Sequence, residues 1–441
     1  MKKFVVLLAA AVLAACTIDE PFTGKPGEDT QLGQAQERTI VMSASSADPE
    51  TKTTLDGVQV LWDQGDAFHV MSTNGGALDL RMELTSEAGH PYGEFEAKTN
   101  AEGELDDSYV AVYPYSSMVG VENGAIRIEI PQKQEYVAGS FGHAANIMVG
   151  TVELNGERYK ANFSNVMGVL QLSLTGDCAV DNITISDRGG KSLWGSSTIA
   201  LADCQDGITA EEIDGGSSMI ILDCKGAQLS SEPTTFHFVV PVGVFDEGFD
   251  VSIYSGGSYQ DFGTSKANVI SLNSIKKMPA RSVSLTAIET FNIENDALMT
   301  YLDKGPYSKW GASSYFAYSL FSQLWRIAVD QDNPRYKTIS WTGGTSATYT
   351  VGLTDVTKCQ DVYTERAVTG TSYDFMNMIP GHIYAYQVKA GNEVKASGKF
   401  KAEGRVRMVT VEDTWNFRDL GGWTGLSNHQ IEFGWVYRCG S

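Results

Sequence analysis

From Arg38 to Ala280 the chain runs in short stretches of Val, Ile, Leu, Tyr and Phe, punctuated by Gly, Asn and Asp, and no stretch sustains a helical period. The runs 108–114, 236–241 and 249–254 have the length and composition of strands. Strands of this kind bury one face, so they must pack sheet against sheet, and β-sandwiches are expected. The 45 glycines suit the many turns that such an architecture needs. At 441 residues the chain has room for about three domains, and its 42% hydrophobic content is enough to fill their cores.

Charge narrows the partners. Lys and Arg total 33 against 54 Asp and Glu, a formal net charge of -21. Nucleic acid is excluded, because binding its phosphates requires clustered Lys and Arg. The excess of acid keeps an exposed protein soluble.

Lys2 and Lys3, followed by the apolar run from Phe4 to Leu13, mark residues 1–15 as a signal peptide. The run is too short to span a bilayer as a mature helix. It ends Leu13-Ala14-Ala15-Cys16, which resembles a bacterial lipobox. The resemblance implies cleavage before Cys16 and a diacylglyceryl thioether on its sulfur, so the membrane is a partner through Cys16. Asp19 and Glu20 resemble the surface-export signal of Bacteroidetes lipoproteins, which implies an outer-membrane or cell-surface location. Residues 16–38, rich in Gly, Pro, Gln and Glu, read as a flexible tether.

The remaining cysteines, Cys178, Cys204, Cys224, Cys359 and Cys439, are odd in number and widely spaced, with no Cys-x-x-Cys pair. Neither a disulfide framework nor a zinc site follows. The six histidines are scattered and form no metal-binding spacing. No metal and no cofactor is expected.

Thr53-Thr54-Leu55-Asp56-Gly57 is followed by Val60-Leu61-Trp62-Asp63-Gln64-Gly65-Asp66. Tyr109 to Pro114, Ile130-Pro131 before Gln134, Phe163-Ser164-Asn165-Val166 and Val239-Val240-Pro241 come after in order. This set resembles the fimbrillin family of Bacteroidetes surface proteins. The resemblance implies two transthyretin-like sandwiches, at 39–146 and 147–285, and a role in adhesion or surface assembly with a surface protein or glycan as ligand. Trp62 reads as a core anchor, and Asp63, Gly65 and Asp66 as turn formers.

Residues 286–335 are an aromatic-rich connecting segment that admits either a helix or strands. Asn295 and Asp296 have helix-capping chemistry, and Leu320, Phe321, Leu324, Ile327 and Ala328 share one helical face. Its aromatics are expected to pack against neighbouring sandwiches. Over 336–404, Trp341 on an early strand and Pro380-Gly381 before Tyr384-Ala385-Tyr386 resemble the fibronectin type III fold. Trp341 and Tyr384 are then core residues.

The segment 405–441 contains Asn416-Phe417-Arg418-Asp419-Leu420-Gly421-Gly422 and, later, Tyr437-Arg438. This resembles the opening of a bacterial tyrosine-phosphatase family, and implies the truncated start of an α/β phosphatase domain displayed by the β modules. Arg418 and Asp419 are suited to an internal charge pair, and the tail from Arg405 is expected to pack poorly. Catalysis in that family needs a Cys-x5-Arg loop, whose backbone N–H groups cradle phosphate and lower the cysteine pKa. No cysteine here has that spacing. Cys359 stands seven residues before Arg366, with Asp361 and Glu365 between them to repel phosphate. No catalytic residue is therefore assigned, and a phosphorylated substrate is expected only with a complete phosphatase domain. The alternative is a fimbrillin-like adhesin, or a fimbrial tip or anchor component, without enzymatic activity. The expected architecture is mainly β: two fimbrillin-like sandwiches, one fibronectin III-like sandwich, and an incomplete α/β domain.

Overall fold

The computed structural model describes residues 37–45, 61–142, 145–200, 207–294, 335–358, 360–405, 407, 409–410, 418–422 and 431–438. The signal peptide, Cys16, the tether as far as residue 36, the motif at 53–57 and residues 295–334 lie outside the described residues, as do Asn416 and Phe417. Among the described residues the protein is nearly all β and contains no α-helix.

The first unit is a sheet closed on itself. Seven strands run around it in the order Arg38–Ser45, Arg158–Asn165, Met148–Asn155, Tyr109–Tyr113, Ala67–Ser72, Asp79–Leu84 and Tyr92–Thr99. Closure falls to the first strand. Met42 stands opposite Phe95 in an antiparallel pair and opposite Tyr159 in a parallel one. Alternate residues Ile40, Met42 and Ala44 enter the barrel core, as strand periodicity requires. Trp62 is the hub of that core, meeting Phe95, Tyr113 and Phe163 edge-on at 5.1, 5.2 and 5.8 Å.

The strand pairing crosses the division expected at residue 146. After Tyr113 the chain leaves the barrel and contributes Met118–Glu122 and Ala125–Ile130 to a separate four-stranded sheet. It then returns at Met148–Asn155 and Arg158–Asn165 to complete the barrel wall. The strand Tyr109–Tyr113 explains how the two parts cohere. Tyr109, Ala111 and Tyr113 fill the barrel, while Val110 and Val112 enter a second core with Ile126, Ile128 and Val149. All five residues are buried because both faces are covered.

The second unit faces two sheets across a third core. One sheet contains Ser258–Thr264, Phe249–Ser255, Ala179–Asp187 and Met219–Gln228 in that order, extended by Lys133–Val137 and Ser140–Phe141. The other is built on Gly168–Thr175, flanked by Thr234–Val240 on one side and by Ile275–Lys277 and Arg281–Ser282 on the other. Leu170, Leu172, Phe236 and Phe238 meet Ile183, Leu222, Val251 and Ile253 between them. Gln134 clasps the sheets together: its amide donates to the Val239 carbonyl at 2.7 Å and accepts the Val239 N–H at 3.0 Å.

The third unit begins earlier than expected. Glu289–Asn292 pairs in parallel with Glu393–Glu403, which continues through Ile383–Ala390 and Thr348–Asp355 to Gln360–Thr369. A two-stranded sheet, Lys337–Ser340 with Ser372–Phe375, covers it. Trp341 and Tyr384 are buried between the sheets with Phe375 and Phe400. After this unit the described residues form a two-stranded pairing of Arg418–Asp419 with Tyr437–Arg438. No α/β domain is formed by the described residues there.

Candidate functional site

Asp419 is the pivot of the C-terminal hairpin, and its side chain is wholly buried. The Arg418 side chain lies outside the described residues. Arg407 donates from Nη1 to Asp419 Oδ2 at 2.9 Å, and the Gly434 N–H donates to the same oxygen at 2.7 Å. The Gly421 N–H donates to Asp419 Oδ1 at 2.9 Å. Arg407 is saturated in turn by the carbonyls of Met378 at 3.1 Å and Asn377 at 2.6 Å, and it reaches Tyr437 Oη at 3.3 Å. Arg407 thus links Asp419 to the Asn377–Met378 loop of the third unit.

The two glycines of the motif are there for close approach. A Cβ on Gly421 would lie 2.4 Å from Phe433 Cα. Gly422 adopts φ +83°, a conformation that other residues resist. Leu420 donates its N–H to the Val436 carbonyl, and Gly422 to that of Ile431, at 2.8 Å each. Both oxygens of Asp419 are thus committed to hydrogen bonds that close the hairpin. Arg418 and Arg438 are placed only as backbone partners in the hairpin.

Arg366 is the arginine nearest in sequence after Cys359. It lies on the strand Gln360–Thr369 and donates to Tyr373 Oη at 2.9 Å. Cys359 lies outside the described residues. Among the described residues no group of three His, Cys, Asp or Glu side chains converges as a metal site.

The most developed polar site joins the second and third units. Lys399, on the strand Glu393–Glu403, reaches across to Asp261 Oδ1 at 2.5 Å and Ser252 Oγ at 3.1 Å. Its ammonium lies 4.7 Å from the Tyr259 ring centre and 5.7 Å from that of Tyr254. The side chain is only 7% exposed. Burial pushes the Lys399 pKa below its ordinary value, and the nearby charges of Asp261 and Asp250 offset this only in part. Beside it Tyr254 and Ile288 pack on Val356, with Ile383 and Ala385 at the margin. The loop carrying Val356 is shaped by Asp355, which accepts the Thr357 and Lys358 N–H groups and binds His382 Nδ1 at 2.7 Å. Gln132 adds a hydrogen bond to the Lys358 carbonyl at 3.1 Å.

Sequence reasoning missed Lys399, Asp261 and Arg407 as partners. One signal was present: Tyr254 and Tyr259 flank a tight glycine turn, which presents both rings at one end of a hairpin.

No known family profile matches the chain, and no curated protein does. Among solved structures it is similar to a candidate cell adhesion protein from Bacteroides ovatus ATCC 8483, with 14% identity over 57% of this chain and 95% of that one, at a TM-score of 0.33. A candidate cell adhesion protein from Bacteroides fragilis NCTC 9343 is similar at 10% identity over 56% of this chain and 96% of that one, at a TM-score of 0.33. A fimbrial protein from Bacteroides ovatus ATCC 8483 is similar at 10% identity over 70% of this chain and 67% of that one, at a TM-score of 0.27.

Proposed function

We propose that this chain is a fimbrillin-like adhesion or surface-assembly protein, anchored through lipidated Cys16 at the outer membrane or cell surface. The observation that carries the reading is where the ordered fimbrillin-like residues fall. Trp62 is the barrel hub, Asp66 is hydrogen-bonded to Tyr113, and Gln134 clasps Val239 across the second sandwich. The resemblance is thus written into the contacts that hold the first two units together, which supports a fimbrillin-like frame rather than chance matches. The third unit adds a sandwich with a buried Trp341, which supports the fibronectin III-like reading, and Lys399 reaches from it to Asp261 of the second unit. The ligand is a surface protein or a glycan.

The anchor is tested by growing cells expressing the chain with labelled palmitate, then treating intact cells with protease. Label on the wild type, its loss in Cys16→Ala, and digestion of the wild type from outside are expected. Label retained in Cys16→Ala, or full protection from the protease, would overturn the reading.

A second reading, display of a tyrosine-phosphatase-like domain, is favoured by one observation: Asp419, Gly421 and Gly422 are built into a defined hairpin. A reading frame that continues beyond Ser441 into a His-Cys-x5-Arg segment supports it; a stop codon there removes it. The 441-residue polypeptide contains no Cys-x5-Arg spacing and is expected to release no phosphate from a phosphotyrosine surrogate.

A further inference from the structure

The second unit carries an apolar groove where its two sheets part, with a volume of about 370 Å³. Leu172, Leu174 and Phe249 of the core form its base, and Phe262 and Met278 line it while staying partly exposed. Two cations, Lys266 and Arg281, stand at its rim, and no carboxylate lines it. That is unusual in a chain with 54 acidic residues against 33 basic ones. Several other cations of the second unit are paired: Arg188 with Asp250, Lys191 with Asp246, Lys225 with Glu135. Lys266 and Arg281 have no salt bridge among the described residues. Arg281 instead lies 4.6 Å over the Phe262 ring, so its charge borders the apolar wall.

We propose that this groove binds a single-chain anionic amphiphile, its acyl chain laid on Phe262 and Met278 and its carboxylate held by Lys266 and Arg281. The volume falls in the lower part of the range for small-molecule sites, of roughly 300–1,000 Å³. Met278 suits a flexible chain, because its unbranched thioether adapts to irregular apolar shapes. Two unpaired cations select an anionic head over a neutral or cationic one. An added peptide strand fits less well. The sheet edge bordering the groove is broken between Ile275–Lys277 and Arg281–Ser282, and Pro279 within the break has no N–H to offer a ladder.

The test is isothermal titration of the purified full-length chain with dodecanoate below its micelle concentration. Dodecyltrimethylammonium and dodecyl maltoside supply the same chain with other heads. Saturable binding of one dodecanoate is expected, with the two other heads much weaker. Each of Lys266→Ala and Arg281→Ala weakens binding by about fivefold, as the loss of a partly exposed ion pair does. Shortening the acyl chain weakens it by about fourfold per buried methylene, a readout that needs no variant. Ala280→Trp, which fills the groove, abolishes binding while the β-sheet circular dichroism is retained. The proposal is overturned by absent binding, by equal binding of all three heads, or by dodecanoate affinity unchanged in the Lys266→Ala, Arg281→Ala double variant. An acidic extended peptide that displaces dodecanoate and binds more tightly would overturn it too, and would assign the groove to strand addition.

Discussion

Tyr113 donates its hydroxyl to Asp66 Oδ1 at 2.9 Å inside the barrel, and burial, with the Asp66 charge beside it, pushes the phenol pKa far above its ordinary value of 10.0. The unfolded chain therefore loses this proton first as pH rises, so the stabilisation is complete below pH 10 and declines above it. Tyr113→Phe should cost about 1–3 kcal/mol at neutral pH, because Asp66 loses a buried partner. It should also flatten the alkaline decline, which urea unfolding at a series of pH values would measure. His237 behaves in the opposite sense. Burial lowers its pKa below 6.5, with the Lys277 charge adding to the effect, while the Ser140 carbonyl that accepts from Nδ1 opposes it. Gln171 Oε1 faces the other ring nitrogen at 3.3 Å. Stability from this site is full above pH 6.5 and falls as the solution is acidified, because the unfolded chain takes up the proton first. His237→Gln should reduce that acid slope; an unchanged slope would show that other groups set it. At this scale the sequence was legible where a residue serves its own neighbourhood. Trp62 and the turn Asp63-Gly65-Asp66 follow from residue type alone, since the Asp63 N–H donates to Asp66 Oδ2 within one turn. Asp419 was not legible, because its partner Arg407 is chosen by the folding of the intervening chain.

Lys399 and Asp261 sit on strands of different units, and their energetics are unequal. Lys399 is nearly enclosed, whereas the Asp261 side chain is half exposed. The desolvated ammonium is the costly member, which the lowered pKa of Lys399 expresses. Removing the carboxylate should therefore hurt more than removing the ammonium. Asp261→Asn leaves a buried cation poorly compensated and should loosen the joint. Lys399→Met keeps the packing against Tyr254 and Tyr259 and should be close to neutral. Hydrogen exchange of the amides in Phe249–Ser255 and Ile383–Ala390 distinguishes the two variants. Faster exchange in Lys399→Met than in Asp261→Asn would mean that the ion pair itself holds the joint. Strand identity along these elements was readable from alternation, but strand partnership was not. Alternation reports which face is buried and says nothing of which distant strand lies alongside. Hence Met148–Asn155 and Arg158–Asn165 read as the start of a second unit, although they close the first. The run of five buried residues at Tyr109–Tyr113 carried the available hint, since only a strand covered on both faces is apolar throughout.

The barrel and the second sandwich share a core, whereas the third unit meets them through a small one. Val110, Val112 and Val149 from the barrel pack with Ile126 and Ile128 of the intervening sheet and with Val169 and Val239 of the second sandwich. The contact with the third unit is a cluster of Tyr254, Ile288 and Val356, with the Lys399 bridge beside it. Cooperativity follows the sharing of cores, because a unit cannot unfold alone if its neighbour's buried surface is exposed in the process. Differential scanning calorimetry should therefore resolve two transitions, one for the barrel with the second sandwich and one for the third unit. Ile128→Ala removes three side-chain carbons from the shared core and should cost about 2–5 kcal/mol. Its effect should appear as a shift of the larger transition alone. Phe400→Ala, in the core between the sheets of the third unit, should shift only the smaller one. If Ile128→Ala instead splits the larger transition in two, the barrel and second sandwich are separate folding units that merely touch, and the excursion of residues 118–141 out of the barrel is a linker rather than a keystone.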